Sequence, residues 1–212
     1  MWCFEMNREA KNKLEAKPLH WVSILLFGIA MGVFSKYLDC KASNELPFLL
    51  EYLDVRNFLG RFSVWVLIGL WLSVSADCPG KAALRVLVFF ASMVSAYYLY
   101  SKLAAGFCPK SYALVWFCFT LVSPLLGIIC WYGKGMGAAA FLLSVILLSL
   151  LFWCSFRCGW CYIEPRSALE LLTFLLGIVV LRRETVGKTL LLSAGGIVLG
   201  IVLCLLLPFH FG

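Results

Sequence analysis

The chain has 212 residues, of which 63% are hydrophobic and 14% are charged, and its mean hydropathy is +0.94. Ordinary water-soluble domains carry about 25% charged residues, so the composition excludes that class and indicates a protein that is solvated by a bilayer. The net charge of +7 comes from 18 Lys and Arg residues scattered in ones and twos, mostly at the borders of apolar runs. This placement suits lipid headgroups and excludes a nucleic-acid surface, which needs a continuous basic stripe.

Residues 1–18 form a polar N-terminal segment that we expect to be cytoplasmic. Acidic residues within it, and the lack of a small-residue cleavage site after the first apolar run, argue against a cleavable signal peptide. Seven apolar runs follow, and they predict a single all-α membrane domain over residues 19–209, a polytopic bundle of six or seven transmembrane helices. The runs are Leu19–Ser35, Phe62–Ala76, Ala82–Tyr100, Tyr112–Trp131, Met136–Ser155, Ala168–Leu181 and Leu190–Leu207.

The sixth run is short, and charges stand at both of its ends. A tilted short span and one limb of a re-entrant hairpin both remain open for it. Between the first two runs, apolar residues of the segment 47–59 mostly share one helical face. This periodicity predicts an amphipathic helix lying on the membrane surface.

The distribution of Lys and Arg residues gives a prediction of orientation. Basic residues outside the runs are slightly more numerous on the side of the N-terminus, and Arg182, Arg183 and Lys188 form the densest cluster there. Basic loops favour the cytoplasm. We therefore predict a multi-pass plasma-membrane protein of bacterial type whose N-terminus is cytoplasmic.

A first candidate site consists of charged and polar residues near the ends of the runs. Lys36 and Asp39 are three residues apart and share a helical face, with Tyr37 between them. Arg61 and Glu170 are further charges close to the membrane. Such residues often face a cavity or a partner, so these five predict a site for a small polar solute. The alternative is that each marks a helix end and extends to the headgroups.

A second candidate site is the pair Cys158 and Cys161, which follows Arg157 in a Cys-x-x-Cys arrangement. Nearby positive charge favours the thiolate, so the pair is the basis of an alternative function as a membrane thiol–disulfide oxidoreductase. The chain has ten cysteines, several of them inside apolar runs, and this background explains the motif equally simply. We predict no metal site and no cofactor, because no histidine and no second pair of cysteines lies nearby.

Two glycine pairs, Gly28 with Gly32 and Gly196 with Gly200, have the Gly-x-x-x-Gly spacing. Small residues at this spacing allow close helix packing. They serve either the bundle itself or the docking of a second copy or a partner subunit. A non-catalytic assembly subunit is therefore a third functional alternative.

The spacing of four motifs resembles a family of small bacterial multi-pass membrane proteins without assigned function. The motifs are Lys36-Tyr37-Leu38-Asp39, Tyr97-Tyr98, Ser123-Pro124 and Trp131-Tyr132-Gly133-Lys134-Gly135. Through Gly28 and Gly32 the chain also resembles, more weakly, the substrate-binding subunits of energy-coupling-factor transporters. That resemblance implies about six helices and docking of a scaffold through the first helix. The leading prediction is a membrane protein that binds or transports a small polar solute, alone or as a subunit of a larger assembly, and the sequence favours a protein that is not an enzyme over one that is.

Overall fold

The structure, a computed structural model, describes residues 18–42, 45–104, 106–159 and 161–207, with the backbone alone at residues 18 and 19. The predicted N-terminal segment lies outside the described residues except for residue 18, and so do residues 208 and 209 of the predicted domain. The helices of the described part are α1 Pro18–Asp39, α2 Phe48–Tyr52, α3 Val55–Gly60, α4 Phe62–Val74, α5 Pro79–Ala104, α6 Lys110–Gly133, α7 Ala138–Ser155, α8 Ala168–Leu181 and α9 Val186–Leu206. Two short strands, β1 Phe156–Cys158 and β2 Ile163–Pro165, pair as an antiparallel hairpin between α7 and α8.

Five helices, α1, α5, α6, α7 and α9, are long and apolar enough to cross a membrane. The prediction of a helical membrane protein is confirmed at this level. The apolar helices α4 and α8 have 13 and 14 residues. At about 1.5 Å per residue they measure roughly 20 Å, which is less than the hydrocarbon thickness of about 30 Å.

The surface of the bundle is apolar where a soluble protein would be polar. Leu121 is 74% exposed, Leu125 62% and Val198 63%, and all three lie in the middle of long helices. The interior holds two main clusters of buried side chains. One lies around Trp65 and Phe89 in the α1–α4–α5 region, and the other lies around Leu148 in the α7–α8–α9 region. This inverted surface is what a bilayer requires of the helices that it solvates.

The glycine pairs lie where parallel helices approach most closely. A Cβ atom on Gly28 of α1 would overlap Ser92 Oγ and lie 2.7 Å from the Phe89 carbonyl oxygen of α5, and one on Gly32 would overlap the Met93 carbonyl. On α9, a Cβ on Gly196 or Gly200 would come within 3.0 Å of Leu148 or Phe152 of α7. Both faces are therefore covered by the chain's own helices, and the face of Gly28 and Gly32 is not open to a partner.

The bundle has two ends, which we name by their residues. At the Asp39 end lie the end of α1, helices α2 and α3, the starts of α4 and α8, and the β1–β2 hairpin. At the Arg183 end, Arg183 donates to the carbonyl oxygens of Gly133, Gly135 and Ala140 at 2.6–3.0 Å. Lys134 in turn donates to the carbonyl oxygens of Val180 and Arg182 at 2.7 and 2.6 Å. Lys134, which follows α6, thus donates to carbonyl oxygens at the end of α8, and Arg183, which follows α8, donates to carbonyl oxygens at and after the end of α6. The C-terminal end of a helix favours positive charge.

The segment 47–59 forms two short helices instead of one. Asp54 has a positive φ of 52°, and this left-handed residue separates α2 from α3. Asn57 Nδ2 donates to Asp54 Oδ1 at 2.7 Å and so stabilises the break. Phe48 and Tyr52 of α2 remain 79% and 75% exposed. The apolar face predicted for the membrane surface is therefore available on α2.

Candidate functional site

The Asp39 end contains a cavity of about 240 Å³ between α1, α3, α4, α5 and α6, which we call the Asp39 cavity. Its walls are lined by Ser35, Asp39, Leu59, Gly60, Trp65, Met93, Val94, Tyr97, Tyr98, Tyr112 and Trp116. Five of these residues are aromatic, and Asp39 is the charged residue among them. Because one carboxylate faces a wall of rings, the cavity combines a negative charge with an apolar surface.

The carboxylate of Asp39 is held by Tyr97. The Tyr97 hydroxyl donates to Asp39 Oδ2 at 2.5 Å, across the contact between α1 and α5. Among the described residues, no Lys or Arg nitrogen lies within 4.0 Å of this carboxylate. Asp39 is half-buried, so its charge is partly removed from water without a cationic partner. A carboxylate in that situation favours the binding of a cation.

The aromatic side chains around Asp39 suit the same kind of ligand. Lys36 Nζ lies 5.1 Å from the centroid of the Tyr97 ring, so one face of this ring already contacts a cation of the chain itself. The Tyr98 ring meets Tyr97 edge-on at 5.1 Å. Trp65 is fixed by its Nε1–H, which donates to the Leu59 carbonyl oxygen at 3.0 Å. Aromatic rings with a carboxylate recognise ammonium groups in particular.

The five residues predicted for the solute site are not brought together. Asp39 lines the cavity, and Lys36 contacts it only through the Tyr97 ring. Tyr37 is 43% exposed and lies beside Lys41, whose Nζ is 5.9 Å from its ring. Arg61 and Glu170 do not line the cavity, although Arg61 directly follows Gly60, which does.

Arg61 and Glu170 form a separate ion pair. Arg61 Nη1 lies 3.3 Å from Glu170 Oε1, and Arg61 Nη2 lies 3.7 Å from Asp54 Oδ2. The side chain of Glu170 is fully buried, and that of Arg61 is 14% exposed. Glu170 also stands in the first turn of α8, where the Ser167 hydroxyl accepts from its backbone N–H. The positive end of the helix dipole adds to the stabilisation of this carboxylate.

Two further arginines lie outside the helices on the loops that flank α8. Burial lowers the pKa of Arg166, while the neighbouring Glu170 carboxylate acts in the opposite direction. Burial also lowers the pKa of Arg183. An arginine guanidinium is too weak an acid to lose its proton near neutral pH, so both side chains keep their charge.

The cysteines of the second candidate site lie on the β1–β2 hairpin. Cys158 is at the end of β1 and half-buried, whereas Cys161 follows it in the exposed turn, and both thiols are free. Cys158 interacts with the thiol of Cys204 on α9. Among the described residues, no three His, Cys, Asp or Glu side chains are grouped closely enough to hold a metal ion.

Most residues in the wall of the Asp39 cavity could not be predicted from the sequence. Tyr97 and Tyr98 stood out as a pair, but aromatic residues near helix ends are typical of any membrane protein. Trp65, Tyr112 and Trp116 carry no distinguishing pattern at all. Only the folded structure shows that these residues are neighbours, because residues such as Tyr97 and Asp39 are 58 positions apart in the chain.

No family model, no curated protein and no solved structure is similar to this chain. The geometry of the cavity is therefore the basis on which a function is assigned.

Proposed function

We propose that this membrane protein binds a small organic cation in the Asp39 cavity and transports it across the plasma membrane. The observation that supports the proposal is the half-buried Asp39 carboxylate, which is positioned by Tyr97 and has no cationic partner within 4.0 Å among the described residues. Charge and aromatic rings together select an ammonium over a neutral or anionic solute.

We further propose that α4 and α8 cross the membrane together with the five longer helices. The pairing of Arg61 with Glu170 places the starts of both short helices at the Asp39 end. The ends of α4 and α6 meet where Trp131 Nε1 donates to the Ala76 carbonyl, at 2.9 Å. A short helix can span the membrane because the bilayer thins around it. The polar segments at both ends of α4 and α8 would then lie at the two membrane surfaces. With a cytoplasmic N-terminus, the Asp39 cavity then faces outward.

The first experiment measures uptake of radiolabelled tetramethylammonium by proteoliposomes that contain Asp39→Asn. The substitution removes the charge and keeps the side-chain size, so we expect uptake to fall by about tenfold or more. Asp77→Asn is the matched control. Asp77 lies at the Arg183 end, where it pairs with Lys81 at 3.2 Å, and its substitution leaves uptake unchanged.

Equal uptake by Asp39→Asn and the unsubstituted protein would refute the proposal. The oxidoreductase alternative predicts the opposite pattern, with activity that survives Asp39→Asn and is lost in Cys158→Ser. A protein that serves only as an assembly subunit shows no uptake in either form.

A further inference from the structure

A second cavity of about 310 Å³ lies between α4, α5, α6 and α7, and we call it the apolar cavity. On α4 its wall extends over one face from Phe62 to Ser73, and on α6 from Trp116 to Cys130. The 11-residue separation on α4 corresponds to about 17 Å along the helix. This length is close to the hydrocarbon thickness of one leaflet, which is about 15 Å.

The few hydroxyl groups in its wall are already satisfied. Ser73 Oγ donates to the Gly69 carbonyl at 2.7 Å, Thr120 Oγ1 to the Trp116 carbonyl at 2.9 Å, and Ser123 Oγ to the Thr120 carbonyl at 2.8 Å. Each of these bonds stays within one helix. Because these hydroxyl groups bond within their own helices, the wall of the cavity is mostly apolar and favours an apolar occupant.

The apolar cavity meets the Asp39 cavity. Trp65, Val94 and Trp116 line both, so these three side chains form the boundary between the two cavities. A compartment with one carboxylate thus lies next to an apolar compartment. The pair of cavities has the polarity of an amphiphile, with a head at one end and a chain at the other.

The apolar cavity is also accessible from the side. Phe119 and Leu126 of α6 are 44% and 53% exposed, and Leu150 of α7 is 38% exposed, although all three line the cavity. In a bilayer these residues face hydrocarbon. This side of the cavity, along α6 and α7, therefore lies next to the hydrocarbon of the membrane.

We propose that the ligand of this protein is an amphiphile taken from the bilayer, with an ammonium head in the Asp39 cavity and an alkyl chain in the apolar cavity. This inference rests on the proposed function and specifies its substrate class. It explains why the Asp39 cavity, with its one carboxylate, lies next to the long apolar cavity, which a small ammonium ion would not fill.

The test compares binding of labelled tetramethylammonium and dodecyltrimethylammonium to the full chain in maltoside micelles. The two probes share a head and differ in the chain. We expect dodecyltrimethylammonium to bind at least about tenfold more tightly when both affinities are referred to the free concentration in water, because a methylene removed from water contributes about 0.8 kcal/mol. Asp39→Asn weakens the binding of both.

The variant Gly69→Leu separates the contribution of the ligand's alkyl chain to binding from that of its ammonium head. Gly69 lines the apolar cavity, and a Cβ there meets its nearest neighbour, the Phe90 ring, at an ordinary 3.4 Å, so the helix tolerates a side chain that fills the cavity. We expect dodecyltrimethylammonium affinity to fall about tenfold while tetramethylammonium affinity stays within about twofold. Gly187→Leu is the control, because a Cβ on Gly187 meets no atom within 4 Å.

Equal affinities for the two probes would overturn the amphiphile inference and leave cation binding in place. Tight binding of dodecyltrimethylammonium that survives Asp39→Asn would also overturn it, since such binding reflects partition into micelles. If neither probe binds, the inference and the proposed function both fail.

Discussion

At the scale of single residues, the Arg61–Glu170 pair shows how strongly the fold relies on a few buried charges. The two residues are 109 positions apart in the chain, and each is at or near the start of a short helix. Removing a carboxylate and a guanidinium from water costs several kcal/mol per ion. The pair therefore persists only as long as both partners are present, and its effect is to fix α4 against α8.

We predict that Glu170→Gln is much more harmful than replacement of the whole pair. The single change leaves the Arg61 charge in a site from which water is excluded, and it lowers the free energy of unfolding by about 3–5 kcal/mol. The double variant Arg61→Met/Glu170→Met removes both charges of the buried pair and loses less, although Asp54 and Arg166 each lose a neighbouring opposite charge. Thermal unfolding in detergent, with the exposed Glu164→Gln as the control, measures both effects.

A double variant that is less stable than Glu170→Gln would contradict this account of the pair. Uptake by the double variant adds a second result. If the pair only supports the structure, the folded double variant still transports tetramethylammonium, because neither residue lines the Asp39 cavity.

The same scale shows what the sequence can reveal about the site. Asp39 is predictable because a carboxylate at the end of an apolar run is costly and therefore conspicuous. Its partner Tyr97 is not, since a tyrosine near a helix end suits the membrane interface equally well. Lys36 and Asp39 share a helical face as predicted, yet Lys36 lies over the Tyr97 ring and outside 4.0 Å of the carboxylate. The spacing of residues along one helix does not reveal which side chains of the neighbouring helix they contact.

At the scale of elements, the contact between α1 and α5 depends on residues without side chains. We predict that Gly28→Leu lowers the free energy of unfolding by about 1–3 kcal/mol, because the new side chain overlaps the backbone of α5 and forces the helices apart. Gly80→Leu, also in a helix but with no atom within 4 Å of its Cβ, is the matched control. Chemical unfolding and size-exclusion chromatography are measured together.

The two measurements separate packing from docking. A loss of stability without a change in oligomeric state agrees with the contact described here. If Gly28→Leu leaves stability intact and instead dissociates a complex, this face binds a partner and the packing of α1 on α5 is not its main role.

At the scale of the whole molecule, the apolar runs define most of the fold. Each of the seven predicted runs corresponds to a helix, because hydrophobic length is visible in the sequence. The hairpin of Phe156–Cys158 with Ile163–Pro165 was not predicted, since each strand has only three residues. The reciprocal contacts of Lys134 and Arg183 were equally hidden. Basic residues in membrane loops usually mark orientation, and these two also connect α6 to α8.

The orientation of the whole bundle has a direct test, which also examines the redox alternative. Cys161 is exposed at the Asp39 end, and Glu184 is exposed at the Arg183 end. The test uses two variants, each with a single cysteine. In the first, every native cysteine except Cys161 is changed to serine. In the second, all native cysteines are changed to serine and Glu184→Cys is added. With the proposed orientation, a membrane-impermeant maleimide labels the first on intact cells and the second only after permeabilisation.

The reverse labelling pattern would place the Asp39 cavity on the cytoplasmic side and turn import into export. A third variant that keeps Cys158 and Cys161 reports on chemistry. Because both thiols are free in the structure, Cys161 should react without prior reduction at the same rate as it does alone. Labelling that requires a reductant would mean that the two cysteines form a disulfide, and a thiol–disulfide exchange reaction would then be the better explanation of the hairpin.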